Sequence, residues 1–157
     1  MAVSGIAQRL PGWWYQRHLK PALWPLLPLA CAFALLVGLR RALYRRGALR
    51  SHRLSVPVIV VGNLTVGGSG KTPLVLWLVH HLRASGWRPG IISRGYGGSA
   101  RQVQAVTPDS ACSLVGDEPV LLARRSAVPV FVGRDRVATG QALLAAHPEY
   151  DLIVSDD

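Results

Sequence analysis

Apolar positions along the chain follow two different patterns, which divide it into two parts. Residues 21–39 carry no charged side chain and form one continuous apolar stretch between Lys20 and Arg40. Further along, short apolar runs alternate with amphipathic stretches, as is typical of strands separated by helices. We therefore expect a membrane anchor with a basic juxtamembrane segment over residues 1–54 and a separate α/β domain over residues 55–157.

The second part is predicted to form strands and helices in alternation. Runs rich in β-branched residues and bounded by turn residues predict strands at residues 56–61, 89–93, 102–106, 128–132 and 151–155. Amphipathic stretches predict helices at residues 71–84, 116–125 and 137–146. The first strand, VPVIVV, is apolar throughout and is expected to be buried, whereas the 102–106 strand is expected at an edge. Strands that alternate with helices form βαβ units, so the sheet is predicted to be parallel.

The apolar stretch is expected to attach the chain to a membrane. As one straight helix, residues 21–39 would extend about 28 Å, just short of a hydrocarbon core of about 30 Å. Pro25 and Pro28 interrupt its first third, so it either spans with a kink or enters one leaflet only. Several aromatic residues near its start suit the membrane–water interface: Trp13, Trp14, Tyr15 and Trp24.

Positive charge is concentrated beside this stretch. The chain has 18 Lys and Arg against 8 Asp and Glu, a formal charge of +10. Half of the basic residues lie before residue 54 and bracket the apolar stretch, which favours an anionic membrane surface over nucleic acid. More of them follow the stretch than precede it, so the second part is expected on the cytoplasmic side. A cleaved signal peptide is disfavoured because Leu39 leads straight into Arg40 and Arg41.

A glycine-rich loop between the first strand and the first helix carries the clearest chemistry. It reads GNLTVGGSGKT from Gly62 to Thr72 and matches a P-loop except at Thr65, where the strict pattern has glycine. Its backbone N–H groups and the helix dipole favour phosphate, Lys71 can reach the β- and γ-phosphates of ATP, and the Thr72 hydroxyl can bind Mg²⁺. The alternative is a glycine-rich turn with an incidental lysine. The predicted nucleotide-binding residues are Thr65, Val66, Gly67, Gly68, Ser69, Gly70, Lys71 and Thr72.

Two acidic pairs are candidates for metal binding and proton transfer. Asp156 and Asp157 follow the last predicted strand, where a carboxylate in P-loop proteins orients Mg²⁺ or its water. Asp117 and Glu118 open a predicted helix, where one carboxylate can accept a proton from an attacking hydroxyl while the other helps to hold the metal. For Asp117, a purely structural role as a helix cap is an open alternative.

Arginines follow two further strands on the same edge of the predicted sheet. Arg94 lies in the segment SRGYGG after the 89–93 strand and is a candidate phosphate or substrate contact. Arg134 and Arg136 follow the 128–132 strand. For these two, we favour the interpretation that they are solvated turn residues.

Five stretches occur in order from Val56 to the last residue: VPVIVVGNLTVGGSGKTP, GIISRGYGG, VGDEPVLLA, VPVFVGRDR and YDLIVSDD. In this order they resemble the lipid A 4'-kinase (tetraacyldisaccharide 4'-kinase) family. The resemblance implies a P-loop NTPase-like parallel sheet flanked by helices. It also implies transfer of the γ-phosphate of ATP, with Mg²⁺, to the 4'-hydroxyl of a tetraacyl glucosamine disaccharide 1-phosphate. The reaction would take place at the cytoplasmic face of a Gram-negative inner membrane.

The same resemblance assigns roles to the candidate residues. Asp117 would be the base that accepts the proton of the sugar hydroxyl, and Glu118, Asp156 and Asp157 would serve the metal and its waters. Members of this family are considerably longer than 157 residues, so the chain is expected to be an incomplete form with negligible kinase activity of its own. The alternative function is a membrane-tethered P-loop ATPase that acts as a switch or assembly factor. No protein or nucleic-acid partner is expected.

Overall fold

The structure, a computed structural model, describes residues 21–62 and 70–156. The chain divides into two compact units, Met1–Ser51 and His52–Asp157. Within the first unit, a 3₁₀ helix at Pro21–Leu26 leads into an apolar α-helix, α1, at Leu27–Arg45.

Helix α1 accommodates both prolines that interrupt the apolar stretch. Pro25 lies in the 3₁₀ helix, and Pro28 lies in the first turn of α1, where its missing N–H would have no partner within the helix. The segment Trp24–Arg45 is long and apolar enough to cross a membrane, with a mean hydropathy of 1.8. No residue of α1 is buried.

The second unit contains a five-stranded sheet with helices on both faces. Its strands are β1 (Val58–Val61), β2 (Pro89–Ser93), β3 (Gln104–Val106), β4 (Val130–Val132) and β5 (Leu152–Asp156). Its helices are α2 (Lys71–Ala84), α3 (Cys112–Val115), α4 (Asp117–Ser126) and α5 (Arg136–Ala146). The strand order is β1-β5-β2-β4-β3, in which β3 alone is antiparallel to its neighbour. The predicted α/β fold is confirmed, and the sheet is parallel as predicted except at the edge strand β3.

The core has two layers because successive residues of a strand point to opposite faces of the sheet. In β2, Ile91 belongs to the cluster beneath α2 and α4, while the next residue, Ile92, packs with Leu143 of α5. In β5, Val154 lies in the first cluster and Ile153 in the second. The continuous apolar runs of these strands are thus covered on both sides.

Strand β1 departs from its prediction. It has four residues rather than six and lies at the edge of the sheet, where its side chains alternate in burial. Val61 is buried, whereas Val58 is 42% exposed and Val60 is 64% exposed. The prediction that the whole run is buried is wrong, since an apolar run does not reveal which strand lies at the edge. A cavity of about 770 Å³, lined mostly by apolar residues, lies beside this open face.

Candidate nucleotide and acceptor site

The predicted functional residues gather where the parallel strands end. In the register of the sheet, Val61 pairs with Asp156, and Asp156 pairs with Ser93 on its other side. Ser93 in turn pairs with Val132 of β4. Asp156 lies at one of these positions, and Arg94 and Arg134 follow two others closely, so these three residues lie on one edge. This is the edge at which α/β proteins bind their ligands.

Helix α2 begins at the end of the glycine-rich loop. Gly70 is its N-cap and has φ of +75°, a left-handed conformation that favours glycine. Lys71 and Thr72 form its first turn, so their side chains lie beside the positive end of the helix dipole. The other predicted nucleotide-binding residues lie outside the described part of the chain: Thr65, Val66, Gly67, Gly68 and Ser69.

A hydrogen bond joins the start of α2 to the start of α4. The hydroxyl Oγ1 of Thr72 donates to Oε1 of Glu118, although the two residues are 46 positions apart in the chain. Both residues were predicted as Mg²⁺ ligands from separate motifs. A hydroxyl and a carboxylate supply the oxygen donors that Mg²⁺ prefers, and this ion is commonly held by one or two carboxylates together with phosphate oxygens. The donor set therefore fits Mg²⁺.

Asp117 lines the same cavity as Thr72 and Glu118. This cavity has a volume of about 570 Å³ and includes Leu121 and Arg124 on its wall. The Asp117 side chain is exposed, and its Oδ1 accepts a hydrogen bond of 2.9 Å from the backbone N–H of Glu118. The helix has Gly116 as its N-cap and no side-chain capping hydrogen bond, so this bond only joins neighbouring residues. The exposure leaves the carboxylate accessible to a ligand. The alternative that Asp117 is the helix cap is therefore wrong, whereas its role as a base stays a prediction.

The end of β5 is held by an arginine whose role the sequence did not indicate. Asp156 is only 3% exposed, and its backbone carbonyl accepts a hydrogen bond of 3.1 Å from Nη2 of Arg136. Arg136 is half-buried, so its interpretation as a solvated turn residue is wrong. Arg134, by contrast, is exposed. Asp157 lies outside the described residues.

Arg94 lies on the same edge but faces a different cavity. It follows β2 directly, is exposed, and lines a cavity of about 470 Å³ together with Arg134 and the glycine loop of residues 95–98.

Among the described residues, no group of three or more His, Cys, Asp or Glu could hold a metal ion.

Comparison with known proteins decides the family. The sequence model described as LpxK, tetraacyldisaccharide-1-P 4'-kinase, matches residues 22–157. The chain belongs to this kinase family. Tetraacyldisaccharide 4'-kinases from Azoarcus sp. (strain BH72) and Acidovorax sp. (strain JS42) are 58% and 56% identical to it. These alignments cover 99% and 98% of the chain and 45% of each relative. The chain thus spans a little under half the length of the curated kinases that it matches.

The structure is also similar to a solved member of the kinase family. The crystal structure of LpxK from Aquifex aeolicus in complex with ATP matches with a TM-score of 0.69 and 34% sequence identity. The match covers 83% of this chain and 42% of the Aquifex chain. The family resemblance inferred from the five sequence stretches is confirmed.

Proposed function

We propose that the chain is the nucleotide-binding part of a kinase that phosphorylates the 4'-hydroxyl of a tetraacyldisaccharide 1-phosphate in lipid A biosynthesis. The observation that carries this proposal is the contact between Thr72 and Glu118 in the cavity that Asp117 also lines. It joins two separate motifs into one arrangement with the parts that phosphoryl transfer needs: a helix start for phosphate, oxygen donors for a metal and an accessible carboxylate.

ATP would bind with its phosphates at the start of α2. Gly70, Lys71 and Thr72 lie there beside the positive end of the helix dipole, and residues 65–69 would complete the loop. The similarity to the Aquifex structure with ATP supports this placement. Lys71 would contact the terminal phosphates, which places it among the catalytic residues.

Mg²⁺ would be held by Thr72 and Glu118, with Asp156 and Asp157 orienting its waters. When bound, the ion would neutralise charge on the transferred phosphate. Arg136 would keep the end of β5 in position through its bond to the Asp156 carbonyl. Asp117 would accept the proton of the sugar hydroxyl as that oxygen attacks phosphorus.

The first unit would hold the kinase on the inner membrane of a Gram-negative bacterium. Helix α1 is apolar and has no buried residue, and basic residues follow it from Arg40 to Arg53. Such a cluster is attracted to anionic lipid headgroups at the cytoplasmic surface. In this arrangement residues 1–54 are the anchor, and residues 55–157 form the nucleotide-binding domain on the cytoplasmic side.

A chimaeric kinase tests the proposed function directly. The chain would replace the matching region of the Azoarcus relative, with which it shares 58% identity over 156 residues. We expect this chimaera to transfer phosphate from ATP to tetraacyldisaccharide 1-phosphate and the 157-residue chain alone to do so negligibly. Lys71→Ala should weaken ATP binding by about tenfold or more, because a charge-assisted contact contributes about 1.5–3 kcal/mol.

Calorimetry on the intact chain measures ATP affinity, and an Arg125→Ala variant on the exposed face of α4 serves as control. Unchanged ATP affinity in Lys71→Ala would contradict the nucleotide site. An ATPase activity in the chimaera without any lipid phosphorylation would favour a switch or assembly factor instead.

A further inference from the structure

The helical backbone of the first unit continues past both prolines. The 3₁₀ helix Pro21–Leu26 leads directly into α1, and the junction residue Leu26 has φ of −85° and ψ of −11°, within the right-handed helical region. A 3₁₀ helix rises about 2.0 Å per residue, against about 1.5 Å for an α-helix. Residues 21–39 therefore extend about 32 Å, rather than the about 28 Å of an α-helix throughout. This length matches a hydrocarbon core of about 30 Å.

Helix α1 is apolar on every side. From Leu27 to Leu39, no residue carries a charged, amide or hydroxyl side chain. At about 100° per residue, Phe33 and Leu35 lie on nearly opposite sides of the helix, and they are 68% and 75% exposed. A helix that lies in the plane of a membrane surface turns a charged or polar face towards water. Helix α1 has no such face, so in that orientation part of its apolar surface would remain in water.

Both ends of this helical segment carry residues that suit a membrane–water interface. Trp24 is 62% exposed, and Tyr44 is 42% exposed. Along the helix axis these two residues are about 32 Å apart. The guanidinium carbon of Arg40 lies 5.8 Å from the centre of the Tyr44 ring, so the charged end of Arg40 lies beside the ring. Aromatic and arginine side chains of this kind fix the ends of a membrane-spanning helix at the two interfaces.

Length, an apolar surface all round and aromatic residues at both ends together favour a complete crossing over insertion into one leaflet. A helix also satisfies its backbone hydrogen bonds internally, as the hydrocarbon core requires. We propose that residues 21–45 cross the bilayer completely, with Trp24 and Tyr44 at its two interfaces. Residues 1–20 then lie on the opposite side of the membrane from residues 46–157.

This inference goes beyond the proposed anchor, which needs insertion into one leaflet only. It rests on the proposed function for the names of the two sides alone. With the second unit in the cytoplasm, residues 1–20 lie in the periplasm. Three basic residues precede the apolar stretch, Arg9, Arg17 and Lys20, and six follow it up to Arg53. The larger group is then on the cytoplasmic side, as the distribution of positive charge in membrane proteins favours.

The test places one cysteine on each side of the helix in the full chain. The native cysteines, Cys31 and Cys112, are replaced by alanine, and either Ser4→Cys or Ser51→Cys is added as a matched pair. Spheroplasts of a Gram-negative host that carry these variants are treated with a maleimide that does not cross membranes. We expect Ser4→Cys to be labelled in intact spheroplasts and Ser51→Cys only after the membrane is permeabilised.

The other labelling patterns separate this inference from the proposed function. Protection of both cysteines until the membrane is permeabilised would overturn the crossing, and so would labelling of both in intact spheroplasts. Labelling of Ser51→Cys alone in intact spheroplasts would support the crossing but contradict the cytoplasmic placement of the kinase. Loss of ATP binding or of phosphate transfer would leave the labelling pattern unchanged.

Arginine substitutions on opposite sides of α1 provide a second test. Phe33→Arg and Leu35→Arg each place a charge in the hydrocarbon of a spanning helix, which is strongly unfavourable. Each should lower the ratio of membrane-integrated to carbonate-extracted chain by about tenfold or more. Leu49→Arg is the control, because Leu49 follows α1, and it should leave the ratio unchanged. A helix lying in the membrane surface would tolerate one of the two arginines, so integration of either variant at the level of the control would overturn the inference.

Discussion

At the scale of single residues, the contact between Thr72 and Glu118 links the P-loop to the acidic helix start. Their hydrogen bond holds two oxygen donors close together. Preorganised donors of this kind lower the cost of positioning a charged ligand. Asp117, the proposed base, is the residue next to Glu118 and lines the same cavity.

The substitution Asp117→Asn tests the proposed base, because asparagine can keep the hydrogen bond from the Glu118 N–H but cannot accept a proton at neutral pH. In the chimaeric kinase, we expect turnover to fall by about 10²- to 10⁴-fold, the usual contribution of a general base. ATP affinity and thermal stability should change little. Steady-state turnover is the measurement, with Asp109→Asn as a control at an exposed position. If turnover is unchanged, Asp117 is not the base.

At the scale of elements, α5 stabilises one face of the sheet through a small cluster. Leu143 is fully buried and packs with Ile92, Phe131 and Ile153. It also fills the space above Gly90, where an added Cβ would lie 2.8 Å from either methyl group of Leu143. Strand β2 and helix α5 thus approach closely because Gly90 has no side chain and the Leu143 side chain occupies the space above it.

Leu143→Ala should lower the free energy of unfolding by about 2–5 kcal/mol, since it leaves a cavity in a packed layer. Urea denaturation of the intact chain in detergent measures this change. Leu74→Ala is the matched control, because Leu74 is 50% exposed on α2, and it should change the free energy by less than about 1 kcal/mol. Equal destabilisation by both substitutions would mean that α5 does not pack on the sheet as described.

At the scale of the whole molecule, the chain combines an apolar helix with an α/β unit whose ligand edge is accessible. Basic residues are concentrated around the apolar helix, which favours attachment to anionic lipid.

Deletion of residues 1–39 should reduce sedimentation with anionic vesicles without abolishing it. The basic residues from Arg40 to Arg53 remain, and each contributes about 1 kcal/mol near an anionic surface. The retained binding should disappear as salt is raised, whereas the intact chain should stay bound through α1. Vesicle sedimentation at low and high salt measures both. A deletion variant that binds as well as the intact chain in high salt would rule out the anchor.

Much of the local structure could be predicted from the sequence because its signals are local. Helix α2 and strand β2 have the predicted bounds, Lys71–Ala84 and Pro89–Ser93. Gly70 and Gly86, both at positive φ, lie just outside the two ends of the helix. Glycines of this kind mark helix ends through local backbone conformation, so the ends of the helix can be predicted from the sequence alone. The family could be predicted in the same way, from motifs in a fixed order.

Only the tertiary structure decided which distant residues meet. Strand order places β5 between β1 and β2, which buries Asp156 and brings its carbonyl to Arg136. It also leaves β1 at the edge, with Val60 exposed, and it brings Arg94 and Arg134 to one cavity. Composition and periodicity describe the faces of a single element, but neighbours across a sheet depend on how all the strands are arranged. For that reason the chemical groups of the site could be read from the sequence, whereas their partners could not.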